Sequence, residues 1–258
     1  MRVGNPALRR MVKKCERGEY GIVGEAATYK GVYVKAAIFC AVTLVVAVLM
    51  EALMFHFYYG GDMEAALLTI GIVGGVSLIP LLIVALVIAF VPRTVKVLGF
   101  VYTALQGASL GVFASLCDLL YPGIALAALL GTIVVFLTSL VVHSVVKNRI
   151  GSKFMRCLII FTVSMLVVQL IMAVVSLFTP ISYTAYLWIQ LGVSALCIIW
   201  ATVMLLFDFQ NIEYIVQTGA DKSLEWNAAF CLVSTLIYLY FEILELLLRI
   251  ASLFSKNN

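Results

Sequence analysis

The sequence predicts an all-α membrane protein, a seven-transmembrane-helix bundle, and three observations carry this prediction: composition, apolar runs and charge distribution. The chain has 258 residues, of which 64% are hydrophobic and only 12% are charged. Its mean hydropathy is +1.13. A soluble domain of this size needs far more charged residues to cover its surface. The composition therefore excludes an ordinary soluble protein, and nothing in it indicates a nucleic-acid partner.

Continuous apolar runs define the predicted helices. Each is close to the ~20 residues that cross a bilayer as a helix, and none alternates like a strand, so helices are expected. The seven runs lie at about 33–57, 65–91, 97–118, 122–146, 157–179, 183–209 and 227–250. We therefore divide the chain into a polar, basic N-terminal arm at residues 1–31, a bundle at 32–254 and a short tail at 255–258.

Basic residues predict the orientation of the bundle. All but two of the 17 Lys and Arg residues, the exceptions being Arg249 and Lys256, lie on one side of the membrane if there are seven spans. Because basic residues accumulate on the cytoplasmic side, the N-terminus is expected inside and the C-terminus outside. The arm is suited to an anionic membrane face. The simpler alternative, which we favour, is that it acts only as a topology signal.

Charged groups inside the last two runs predict the working part of the molecule, residues 206–249. Glu242, Glu245 and Arg249 share one face of the seventh helix, and Glu245 precedes Arg249 by four residues, the favourable order for a supporting ion pair. Glu242 is left needing a partner, a proton or water. Asp208, at the end of the sixth run, is the candidate partner.

Two roles remain open for Asp208 and Glu242. Two carboxyl groups held together share a proton, so the pair would act as a pH sensor and gate, or else as permanently protonated structural glue. Their spacing complicates the pairing. If the connection at 210–226 turns at residues 219–222, Glu242 lies ~13 Å deeper than Asp208, and the two meet only if the tip is asymmetric.

Acidic residues without nearby Lys or Arg are expected on the outer side. Such a rim would raise the local cation concentration, whereas the alternative is a set of solvated loop carboxylates. The candidates for the outer acidic rim are Glu51, Asp62, Glu64 and Asp118.

No motif in the sequence indicates an enzyme. Residues 107–111 match the G-x-S-x-G pattern around Ser109, but a nucleophile elbow needs a strand–turn–helix context, and this stretch lies in a helical run. Gly107 and Gly111 instead form a GxxxG pair that predicts close helix packing. The cysteines stand singly, without a Cys/His cluster, so no cofactor is expected and the metal ligands are unknown.

Several stretches together give the chain a family resemblance. It resembles a bacterial member of the transmembrane BAX inhibitor motif family in residues 27–33, in residues 106–111 followed by 121–124, in Phe207 and Asp208 with Ile212, and in residues 239–242. Gln106 stands where many members have Glu, and Glu242 stands where the family usually has Asp.

The resemblance implies a bundle with the last helix central and a pH-sensitive calcium leak gated by a carboxylate pair, which Asp208 and Glu242 match. It also implies a bacterial cell membrane, with Ca²⁺ as the permeant ion and protons, calcium and the lipid bilayer as partners. We therefore expect a calcium-permeable leak channel or transporter. The alternative is a non-transporting membrane regulator or scaffold that binds a membrane protease or another membrane complex.

Overall fold

The fold is helical throughout the part of the chain that the structure describes. This computed structural model describes residues 26–145 and 183–255, with scattered positions between 157 and 171. Within these ranges, the one pairing of extended backbone is an isolated antiparallel bridge between Ala26 and Asp221. The predicted all-α fold class is thus confirmed. Most of the predicted arm, nearly all of the fifth predicted run and the last three residues of the predicted tail lie outside the described residues.

The helices follow the predicted runs in order. The second run divides into two α-helices joined by a π-helical segment at Ile70–Val76, and a 3-10 turn at Pro92–Thr94 follows it. The α-helices are α1 at Tyr29–Gly60, α2 at Met63–Thr69, α3 at Leu78–Phe90, α4 at Val95–Leu120, α5 at Ile124–Val145, α6 at Tyr183–Gln217 and α7 at Leu224–Ser255.

Six helical segments among the described residues are long and apolar enough to cross a membrane. One of them is the segment Met63–Phe90, which contains the π-helical residues Ile70–Val76 in its middle. The multi-pass architecture predicted from the sequence is therefore confirmed, whereas the count of seven stays a prediction, because most of the fifth run lies outside the described residues.

The connection between α6 and α7 is shorter than the sequence suggested. We expected a polar connection over residues 210–226, which is wrong: α6 continues to Gln217, and α7 already begins at Leu224. The extension is helical because Ile212 and Ile215, three residues apart, are both buried in the core. Gly219 adopts a positive φ of 61° in the turn that remains, a conformation that costs glycine little.

Helix α7 is in contact with α1, α4, α5 and α6. Its buried residues include Ala228, Ala229, Val233, Leu239 and Leu244. Small residues at 228 and 229 let neighbouring backbones approach, and the larger ones fill the space between helices. The last helix thereby has packing partners along most of its length.

The GxxxG pair lies where two helices approach closely. A Cβ added at Gly107 would lie 2.5 Å from the carbonyl oxygen of Thr43, and one added at Gly111 would overlap the carbonyl oxygen of Ala47. Both acceptors belong to α1, so the two glycines are what lets α4 lie directly on α1. Ser109, between them, contacts the hydroxyl of Ser77 at 3.1 Å.

Candidate functional site

A polar interface lies between α6 and α7, and its residues follow a regular spacing. On α7, the spacing alternates between four and three residues, which places the side chains on one face. These residues are Cys231, Thr235, Tyr238, Glu242, Glu245 and Arg249. On α6, Gln190, Ser194, Cys197 and Asp208 fit the same spacing and meet them from the antiparallel direction. We call these ten residues the polar interface.

Asp208 is buried within the polar interface. Only 6% of the residue is exposed, and its Oδ2 accepts a hydrogen bond of 2.6 Å from the Thr235 hydroxyl. The neighbouring Cys231 lies one helical turn before Thr235 on the same face of α7. Thr235 is the hydrogen-bond donor to this carboxyl group among the described contacts, so the strength of the bond depends on whether the carboxyl group carries a charge.

Glu242 is buried at a second level of the same interface. Its exposed fraction is 9%, and its carboxyl group interacts with the Tyr238 hydroxyl and the Cys197 thiol. Glu245 and Arg249 are its charged neighbours. Glu242 therefore has partners of its own on both helices.

The structure places the two candidate sensor carboxylates at different depths. Asp208 lies level with Thr235, which precedes Glu242 by seven residues, or about 10 Å along a helix axis. Residues 218–223 form a compact turn, so the tip lacks the asymmetry that a direct contact would require. Among the described contacts, each carboxyl group has its own hydrogen-bond partners, and none joins Asp208 to Glu242. The two groups are linked through α7 instead.

Arg249 anchors the far end of the polar interface. It forms an ion pair with Glu245, at the spacing of four residues expected from the sequence. It also donates to the Ser194 hydroxyl and, at 3.2 Å, to the carbonyl oxygen of Gln190. These contacts satisfy the guanidinium group inside the apolar bundle, where an unpaired charge is costly.

The four candidate rim carboxylates do not form one cluster. Glu51 and Asp118 lie close enough to interact electrostatically. Both also interact electrostatically with the Tyr240 hydroxyl on α7. Asp118 caps α5 by accepting a 2.9 Å hydrogen bond from the Ala125 N–H. Asp62 caps α2 through the Ala65 N–H at 3.2 Å, and Glu64 lies exposed in the first turn of that helix. The rim thus divides into an inner pair and an outer pair.

No group of three or more His, Cys, Asp or Glu side chains within the described part of the chain could hold a metal ion. The carboxylates of the bundle instead form hydrogen bonds and ion pairs, and they contribute to the local electrostatic potential. Such an arrangement can attract a cation and exchange a proton, and it offers no preformed coordination shell in the described ranges.

Sequence reasoning missed the neutral members of the polar interface. Thr235, Tyr238, Cys197 and Ser194 are ordinary residues in apolar runs, and we considered only the charged groups. The alternating spacing of four and three through Glu242 would have pointed to them. The ion pair of Lys35 with Glu225 was also missed, because its partners stand 190 positions apart in the sequence.

The comparisons with known proteins agree with the architecture. A family model described as Bax inhibitor 1 like matches residues 5–252, nearly the whole chain. No curated protein and no solved structure matches the chain.

Proposed function

Since this chain belongs to the Bax inhibitor 1-like family, we propose that it is a pH-sensitive, calcium-permeable leak channel or transporter whose gate is the polar interface. The observation that carries the proposal is the burial of Asp208 and Glu242 at two levels between the same pair of helices. Ionisable groups within a membrane bundle are costly and mark ion pathways and proton relays.

The two carboxyl groups act in series in this proposal. Protonation of Asp208 weakens its charge-assisted bond to Thr235, and protonation of Glu242 changes its contacts with Tyr238 and Cys197. Both events alter the attraction between α6 and α7, so each proton shifts the population of closed and open bundles. A direct carboxyl–carboxyl contact is unnecessary. Asp208 on α6 contacts Thr235 on α7, and Glu242 on α7 contacts Cys197 on α6.

The inner carboxylate pair supports a cation as the permeant species. Glu51 and Asp118 place carboxyl groups on the half of the bundle farthest from the α6–α7 turn, where the charge of Glu245 is balanced by that of Arg249. A concentration of one sign of charge between low-dielectric walls raises the local concentration of the opposite ion. In the proposed orientation, with the N-terminus cytoplasmic in a bacterial cell membrane, this half faces outward. Calcium is therefore proposed to enter from that side.

The test is calcium flux into proteoliposomes at pH 6, 7 and 8. We expect wild type to conduct in a pH-dependent manner and Glu242→Gln to show a weaker dependence, because one of the two titrating carboxyl groups is gone. Glu213→Gln is the matched control, because Glu213 is on α6 but is about one-third exposed, outside the polar interface. A Glu242→Gln profile identical to that of wild type would refute the gating role.

The regulator or scaffold function remains the second candidate, and the same preparation separates it from a channel. The basic arm and the α6–α7 connection would be its contact surfaces, and the latter is a short turn that contacts Ala26 and Ala27. Deleting residues 1–20 should leave the flux of a channel intact, whereas an adaptor should lose its membrane partner.

A further inference from the structure

The start of α1 is attached to the tip of the α6–α7 hairpin. Ala26 pairs with Asp221 in the antiparallel bridge, and the N–H of Ala27 donates to the carbonyl oxygen of Ala220 at 2.8 Å. Residues 26–28 thus run beside the turn as a short extended segment before α1 begins. This is a direct connection between the N-terminal end of the bundle and the hairpin that carries Asp208 and Glu242.

A buried carboxylate strengthens this attachment. Glu225, in the first turn of α7, is 0% exposed and forms an ion pair with Lys35 of α1. Its Oε1 also accepts hydrogen bonds from the N–H of Thr28 at 2.7 Å and from the hydroxyl of Thr28 at 3.2 Å. The same hydroxyl accepts from the N–H of Gly31 and so caps α1. One carboxyl group therefore holds the cap, the first turn and the second turn of α1.

The surrounding packing is shaped to this carboxylate. A Cβ added at Gly31 would overlap the Glu225 carboxyl group, so only glycine leaves room for it there. The Lys35 ammonium lies 5.2 Å from the centre of the Trp226 ring, within the range of a cation–π interaction. Trp226 in turn packs against Phe39 at 5.6 Å between ring centroids. Backbone, charge and aromatic contacts thus act at one place.

A contact of this kind has two discrete states. A buried carboxylate that loses its cation is left uncompensated, and breaking such a pair is strongly unfavourable. The pair therefore stays closed, or it opens completely so that water reaches both charges. Partial displacement is the least favourable arrangement, which makes the attachment a switch between held and released.

We propose that Thr28, Gly31, Lys35 and Glu225, with the Ala26–Asp221 bridge, form a clamp that holds the tip of the α6–α7 hairpin and restrains the movement of α6 against α7. The effect of the clamp on ion flux rests on the proposed leak function, whereas its restraint of the hairpin does not.

The restraint is tested by amide hydrogen exchange on the full-length protein in lipid nanodiscs. Lys35→Met and Glu225→Gln each remove one charge of the pair, and Lys30→Met is the control, because Lys30 is an exposed lysine of the same helix. We expect at least about tenfold faster exchange at residues 215–226 in the first two variants, within the range of typical coupling between sites. Lys30→Met should exchange like wild type.

A disulfide variant locks the clamp closed and keeps the charges of both Lys35 and Glu225. Opposed residues of an antiparallel bridge have Cα atoms about 4.5–5.5 Å apart, within the range that a disulfide spans. Ala26→Cys/Asp221→Cys should therefore cross-link on oxidation, as verified by mass spectrometry, and slow exchange at residues 215–226. Asp221→Cys alone, treated in the same way, is the control for the lost carboxylate.

Calcium flux from the same variants decides whether the clamp also controls the leak. Lys35→Met should raise flux about tenfold, and oxidation of the cysteine pair should suppress it until a reductant is added. Faster exchange with unchanged flux would overturn control of the leak and leave a purely structural clamp. Exchange unaffected by Lys35→Met and Glu225→Gln would overturn the clamp itself. A wild type without flux at any pH refutes the leak function, and the exchange results then judge the clamp alone.

Discussion

Asp208→Asn separates the charge of the polar interface from its shape. The amide has nearly the size of the carboxyl group, and its oxygen can still accept the hydrogen bond that Thr235 donates at 2.6 Å. A hydrogen bond to a charged group contributes about 1.5–3 kcal/mol, against about 0.5–1.5 kcal/mol between neutral groups. The substitution therefore removes a state-dependent difference of about 1–1.5 kcal/mol, which corresponds to about five- to tenfold in an equilibrium.

The expected result is a flattened pH profile. Wild-type calcium flux should change by about five- to tenfold between pH 6 and 8, whereas Asp208→Asn should change by less than about twofold. The assay is dye-reported calcium entry into proteoliposomes that contain equal amounts of protein per vesicle. Thr235→Val keeps the carboxyl group but removes the hydrogen-bond donor on which this difference depends, so its profile should be flattened to a similar extent. An Asp208→Asn profile that superimposes on that of wild type would refute the reasoning.

Three further predictions concern stability, each followed by thermal unfolding in detergent. Gly111→Ala should cost about 1–3 kcal/mol, because its Cβ meets the Ala47 carbonyl oxygen and overpacks the contact of α4 with α1. Gly71→Ala, where an added Cβ meets nothing within 4 Å, should show no such loss. Arg249→Met should destabilise by about 1–3 kcal/mol, because it leaves the partly buried Glu245 without its charge partner, and adding Glu245→Gln should recover part of that loss. Hydrogen bonds from the Ser223 hydroxyl and the Ser223 N–H lower the pKa of Asp221, so its ionised form stabilises the fold above the ordinary carboxyl pKa of about 4. Asp221→Asn should therefore be less stable than wild type at pH 7, and the difference should disappear as the pH falls through the lowered pKa of Asp221.

The sequence predicted the helices of the described ranges because burial in lipid demands continuous apolar segments. It predicted the Glu245–Arg249 pair as well, since a spacing of four residues on a helix is a local property. The offset between Asp208 and Glu242 was also expected once the turn was assumed to lie at residues 219–222. Each of these features depends on spacing within one helix or across one hairpin.

Features that depend on distant partners could not be predicted. The end of α6 was missed because Asn211 and Glu213 make this stretch look like a loop, while the burial of Ile212 and Ile215 is decided by neighbouring helices. The π-helical segment at Ile70–Val76 has no apolar signature of its own. The pairing of Lys35 with Glu225 depends on α1 and α7 being adjacent, which no local pattern records.

The most direct measurement is calcium flux by the unmodified protein in liposomes, compared with empty liposomes at pH 6, 7 and 8. The account predicts a flux that increases in proportion to the protein per vesicle and that changes with pH. A flux equal to that of empty liposomes at all three pH values would contradict the proposed function, and Asp208 and Glu242 would then be structural members of a polar helix interface.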